Sequence, residues 1–140
     1  MKAAVLVKNR SKLEIIDKLI LPPLKKGQLL VKIKYSGICH SQLMEIDGKR
    51  GPDKWLPHLL GHEGSGIVVK KHKTVKRFKV GEPVILSWIK SIGLEAGGSE
   101  YNHKIFGKIN AGAVTTFNNY AIVSENRLSL KPNNLTFKQA

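Results

Sequence analysis

Acidic residues are scarce in this chain: ten Asp and Glu stand against 24 Lys and Arg, a formal net charge of +14 over 140 residues. Cysteine is scarcer still, with Cys39 alone. One cysteine excludes an internal disulfide and fits a reducing compartment, so the cytoplasm is the expected location. No run of about 18 apolar residues exists, which argues against a membrane-spanning helix. Met1 to Val7 is apolar but short, with Lys2 inside it and Lys8 directly after, and does not read as a signal peptide. Aromatics are few, and no basic stretch interleaves them as stacking platforms for nucleic acid. The lysines fall singly along strand-like runs (Lys32, Lys34, Lys70, Lys71, Lys73), the pattern of a solvated strand face. A specific nucleic-acid partner is therefore not expected. There is no internal repeat, and no G-x-G-x-x-G follows a strand-like run. A dinucleotide-binding unit is read as absent from this chain.

What remains is an ordinary apolar content of 41%, enough for one domain with a real core. Leu29, Val31, Ile33 and Tyr35 alternate with Leu30, Lys32 and Lys34, a period-two strand that stops at Ser36-Gly37. Further strands are read at Met1–Val7, Gly66–Lys71, Pro83–Ile89, Phe117–Val123 and Leu128–Leu130. Leu13 to Leu21 fits strand or helix, and Pro22-Pro23 ends it either way. Ser41 to Ile46 reads as one helical turn with Ser41 as N-cap. Leu135 to Ala140 reads as the start of a helix capped by Thr136. Ser91 to Gly112 is polar, glycine-bearing and without period, hence a long loop or a small excursion. Many short strands separated by turn signals predict a mainly β domain, a partly open barrel or a sandwich.

Two segments carry the chemistry. Gly37-Ile38-Cys39-His40-Ser41 follows directly on a strand end, and Gly61-His62-Glu63-Gly64-Ser65-Gly66 is dense in glycine, which suits close backbone approach at a site. Thiolate, imidazole and carboxylate are ligand types of catalytic zinc, which normally takes three protein ligands. His58, His72 and His103 have no evident partner in sequence and are read as surface residues. Trp55 is read as a loop aromatic packing down on the core, with a place in a substrate cleft as the alternative.

These segments, with Met1-Lys2-Ala3, Val80-Gly81-Glu82-Pro83-Val84 and Phe117-Asn118-Asn119-Tyr120-Ala121, make the chain resemble the N-terminal, GroES-like domain of the zinc-dependent medium-chain alcohol dehydrogenases. The resemblance runs through nearly all of residues 1–140 and implies a GroES-like, partly open β-barrel with short helices. It implies that Cys39 and His62 bind catalytic zinc, with Glu63 close enough to exchange with water on the metal. Ser41 would relay the substrate hydroxyl proton, and His40 would face the cofactor pyrophosphate. The implied activity is that of an alcohol or polyol dehydrogenase, which oxidises an alcohol by hydride transfer to NAD or NADP, with a small alcohol or aldehyde as substrate.

Three departures from the family pattern stand out. The position after Ser41, usually an acidic residue that orients the zinc-binding histidine, is Gln42; a neutral amide lends the imidazole less basicity. Ser91 to Gly112 contains none of the four cysteines of the family's structural zinc, so that site is predicted absent. The third catalytic ligand and the Rossmann domain follow Ala140 in the family. On this reading the 140 residues are half an enzyme, inactive and monomeric alone, and the whole protein is a dimer or tetramer. Two other readings are a zinc-free quinone or enone reductase of the same superfamily and a chaperonin-cofactor-like binding module.

Overall fold

The computed structural model describes residues 1–140. Ten strands run in the order β1 (Ala3–Leu6), β2 (Glu14–Ile16), β3 (Gln28–Ser36), β4 (His58–Leu59), β5 (Glu63–Lys71), β6 (Pro83–Ser87), β7 (Glu100–His103), β8 (Gly107–Asn110), β9 (Tyr120–Ser124) and β10 (Leu128–Leu130). One helix, α1 (His40–Ile46), lies between β3 and β4, and a 3-10 turn covers Glu125–Arg127. The strands form two five-stranded sheets, β2-β1-β4-β8-β7 and β10-β6-β5-β3-β9. The first sheet curls back on itself, because Ile20 after β2 bridges Asn102 on β7. The mainly β, partly open barrel expected from the turn spacing is what forms.

Alternation along β3 explains how one strand serves two cores. Leu29 and Val31 are fully buried with Val68, Phe78, Val84 and Leu86. Leu30, on the opposite face, packs against a second cluster of Val5, Ile16, Leu59, Tyr101 and Ile109. β9 divides the same way, sending Ala121 and Val123 to the first core and Ile122 to the second. β3 and β9 therefore form the shared wall. A one-residue register slip would exchange the two faces and put apolar side chains against the wrong core. Lys32 and Lys34 lie past the buried stretch and are exposed.

Several local expectations need correction. Leu13–Leu21 is strand only over Glu14–Ile16, and Lys18 takes a positive φ of 60° that breaks any regular element. The segment read as a long loop or small excursion contains the β7–β8 hairpin, turned at Gly107 with φ 64°. Its strands are held by Tyr101 and Ile109, both fully buried. Two isolated apolar residues in a polar stretch show no period, yet they suffice once a core receives them. Leu135–Ala140 forms turns, not a helix. Thr136 and Gln139 satisfy each other there, Thr136 N–H donating to Gln139 Oε1 at 3.0 Å and Gln139 N–H to Thr136 Oγ1 at 3.3 Å.

Candidate metal centre

The two motifs meet because β5 lies between β3 and β6. Ser36 at the end of β3 pairs with Gly64, and Glu63 pairs with Ser87 at the end of β6. Gly37 and Cys39 thus leave the sheet beside the point where His62 enters it. Two glycines lie close to neighbours in this junction, and one of them, Gly61, is required. A Cβ on Gly37 would sit 2.5 Å from Glu63 Oε1. A Cβ on Gly61, at φ 89°, would collide with Thr116 Oγ1 and lie 2.9 Å from the Phe117 nitrogen. Thr116, which no sequence signal marks, stitches the junction: its hydroxyl donates to the Glu63 carbonyl at 3.0 Å and accepts from Ser36 Oγ at 2.8 Å.

Cys39, not Ser41, is the N-cap of α1, with extended φ −98° and ψ 149°. The helix begins two residues earlier than expected because Gln42, at its third position, reaches back and accepts the Cys39 N–H at 2.8 Å. The Gln42 side chain, only 3% exposed, then donates from Nε2 to His62 Nδ1 at 2.8 Å and to Ser41 Oγ at 3.3 Å. One amide therefore joins Cys39, Ser41 and His62. The Cys39 thiol is held below its ordinary value chiefly by a hydrogen bond from the Ser41 hydroxyl, then by the Ser41 backbone; burial and the Glu63 carboxylate act the other way. That environment favours thiolate, the form that binds metal.

His62 and Glu63 are neighbours in sequence but line different spaces. His62 and Gln42 face a cavity of about 840 Å³ whose wall includes Trp55, His58, Arg50 and Asn110. Glu63 is exposed and faces a smaller cleft with Tyr35 and the Phe137–Ala140 segment. No group of three or more His, Cys, Asp or Glu side chains is placed to hold a metal ion together. By donor type, Cys39 and His62 fit zinc: a thiolate-favouring cysteine and an imidazole on adjoining loops. His40 is exposed at the first position of α1.

The other histidines and Trp55 differ from expectation. His58 is nearly buried, its side chain 13% exposed, with Nε2 at 2.8 Å from Asp53 Oδ2. His72 Nδ1 lies 2.9 Å from Thr74 Oγ1, and the His103 ring sits 5.4 Å from that of Phe106. Each finds its partner within five residues, across irregular backbone that carries no periodic signal. Trp55 does not pack down: it is 60% exposed. Its N–H donates to Asp53 Oδ1 at 2.9 Å and its carbonyl accepts from Asn110 Nδ2 at 2.7 Å. The loop is anchored by its backbone, which leaves the indole at the cavity wall.

The Ser91–Gly98 segment is held by carboxylates. Glu125, 3% exposed, accepts the N–H groups of Lys76, Arg77 and Leu94 at 2.9–3.1 Å. Glu95 accepts from Ser124 Oγ at 3.1 Å, Gly97 N–H at 3.2 Å and Arg127 Nη2 at 2.8 Å. Burial alone would raise both carboxyls, but these donors outweigh it; Glu95 is lowered to about 2 and Glu125 is also lowered.

Comparison with known proteins bears on the family and the fold. The alcohol dehydrogenase GroES-like domain matches residues 25–133. An alcohol dehydrogenase of Geobacillus stearothermophilus is 43% identical over 91 residues, covering 65% of this chain and 26% of that protein. The chain thus spans about a quarter of the length of that curated relative. Among solved structures, an alcohol dehydrogenase zinc-binding domain protein from Burkholderia ambifaria superposes with TM-score 0.82 at 22% identity, over 97% of this chain and 43% of that one. A quinone oxidoreductase from Pseudomonas syringae pv. Tomato DC3000 gives TM-score 0.75 at 21% identity, over 99% and 36%. At those identities the two structures speak for the fold.

Proposed function

The chain belongs to the alcohol dehydrogenase GroES-like domain family, and on that premise we propose that it is the catalytic domain of a zinc-dependent alcohol dehydrogenase that uses NAD or NADP. The observation that carries the proposal is the β3–β5–β6 junction, which brings the loops bearing Cys39, its thiol held low by Ser41, and His62 together. It ties a thiolate-favouring cysteine to an imidazole in the order the family uses. Cys39 and His62 would hold the metal, leaving the remaining positions to groups outside this pair. When bound, zinc acts as a Lewis acid that lowers the pKa of an alcohol hydroxyl.

The chain's own residues divide the remaining work. Ser41 Oγ accepts from Gln42 Nε2 at 3.3 Å, and its own hydroxyl proton is directed to the Cys39 thiol. To relay the substrate hydroxyl proton, as proposed, that hydroxyl would turn from the thiol to the substrate. The exposed His40 is the residue proposed to meet the cofactor. Glu63, whose carboxylate opposes ionisation of Cys39, is proposed as the metal-proximal carboxylate. Trp55 and His58, with Asn110, wall the cavity in which a small alcohol would sit.

Zinc titration of the chain and of the Cys39→Ser and His62→Ala variants tests the proposal. Binding to the parent with loss of at least tenfold in affinity for each variant is expected. Equal affinity in all three would remove the zinc reading. It would favour the zinc-free reductase instead, the alternative to which the Gln42 hydrogen bond to His62 also lends weight.

A further inference from the structure

We infer that Gln42 selects the tautomer of His62, holding the neutral ring with its proton on Nε2 and so opposing metal at that nitrogen. The inference rests on the zinc reading for its metal half; the tautomer half stands on hydrogen bonds alone.

The orientation of the amide is decided by a group that has no choice. The Cys39 backbone N–H is a donor, so the Gln42 atom 2.8 Å from it must be the oxygen. The other end is then the nitrogen, with two hydrogens and two acceptors to receive them: His62 Nδ1 at 2.8 Å and Ser41 Oγ at 3.3 Å. A neutral imidazole has one N–H, and Nδ1 is accepting, so the proton resides on Nε2. Nδ1 is occupied by the amide, which leaves Nε2 as the nitrogen open to a metal. Binding there requires the proton to leave Nε2 and appear on Nδ1. It would then face an N–H of Gln42.

Neither escape is free. If the amide keeps its orientation, two donors oppose each other at a residue that is only 3% exposed. If it flips, the oxygen accepts from His62 but the nitrogen confronts the Cys39 N–H. The Ser41 hydroxyl must also turn toward the new oxygen, and in doing so releases the Cys39 thiol that it now holds low. A carboxylate at position 42 has no donor–donor conflict at either end, although Ser41 then faces an oxygen there as well. One oxygen takes the Cys39 N–H and the other takes His62 Nδ1–H, which frees Nε2 for metal. Gln42 is thus a positioning residue whose amide nitrogen sets a threshold for metal at His62. Outer partners of ligating histidines commonly tune metal affinity by about 10–100-fold.

The test is Gln42→Glu, isosteric at this site, with Gln42→Asp as a second variant should the first fold poorly. Long-range 15N–1H spectra of the metal-free chain, taken where His62 is neutral, read the tautomer directly. We expect Nε2–H in the parent and Nδ1–H in the variants. Zinc competition against a chromophoric chelator should show tighter binding in Gln42→Glu, by about 10–100-fold. An Nδ1–H tautomer in the parent, or zinc affinity equal within twofold in parent and variant, overturns the inference. If zinc binds none of the chains, the zinc reading and the metal half fall together. The spectra then uphold or overturn the tautomer half separately.

Discussion

The Asp53 carboxylate lies 2.8 Å from the His58 imidazole, and both side chains are nearly buried at 16% and 13% exposure. The second Asp53 oxygen takes the Trp55 backbone N–H at 2.9 Å, so this pair helps fix where an exposed indole stands beside the cavity that holds His62. His58→Ala, made in a Trp88→Phe background so that Trp55 is the only fluorophore of its kind, should lower the Trp55 steady-state anisotropy. Stability should fall by about 1–3 kcal/mol, the range for leaving a nearly buried acceptor unpaired. Unchanged anisotropy would show that the loop is held without the pair.

Glu125 gathers three backbone N–H groups from two separate segments. Glu125→Ala strands them and should destabilise the chain by about 2–3 kcal/mol in urea unfolding at neutral pH. The Ser91–Gly98 segment should also lose amide-exchange protection.

Acid stability follows from the same region. Glu95 is lowered from 4.5 to about 2 and Glu125 is lowered as well. A depressed folded-state pKa contributes stability that is present above the unfolded value and lost as pH falls through the folded one. Stability should therefore decline from about pH 4.5 toward pH 2, and Glu95→Gln should flatten that decline. Because the Glu95 side chain is 30% exposed, the effect should shrink in high salt.

Tyr101 supplies the contrasting case at high pH. Burial raises its phenol to about 12 against a lowering by the Ile122 N–H that it accepts at 3.0 Å. Stability from the neutral phenol is present below pH 10 and lost as pH climbs toward 12. Tyr101→Phe leaves the Ile122 N–H unpaired and should cost about 1–3 kcal/mol at pH 7. Its alkaline unfolding curve should be flatter than the parent's.

Gly61 and Gly81 share positive φ, at 89° and 93°, but only Gly61 has atoms where a Cβ would go. Gly81→Ala should cost about 1 kcal/mol for the backbone alone. Gly61→Ala should cost at least about 2 kcal/mol more, since Thr116 and the Phe117 backbone must move. Similar losses in thermal unfolding would mean the junction is looser than its packing implies.

Parts of this protein were legible because their causes are local. The alternation of Leu29, Val31 and Ile33 needs only the pleat of one strand, and β3 formed where that alternation predicted. The donor types at Cys39, His40, Ser41, His62 and Glu63 are stated by the residues themselves, and their order pointed to the family. The β7–β8 hairpin was not legible, because Tyr101 and Ile109 acquire meaning only from a core built by β1, β4 and β9. Ser41 looks like the cap in sequence because the group that moves the helix start to Cys39, the Gln42 oxygen, acts by reaching backward.

Sequence by itself determined which chemical groups exist here, how the strands alternate and that no cysteine cluster follows Trp88. Tertiary structure alone decided that β5 inserts between β3 and β6 and so brings residues 39 and 62 together. It also decided that His62 and Glu63 face different clefts, and which imidazole nitrogen meets an amide hydrogen. Hydrogen bonds act over about 3 Å. Which groups come within that distance across twenty or more residues depends on sheet pairing, and no local run of side chains encodes it.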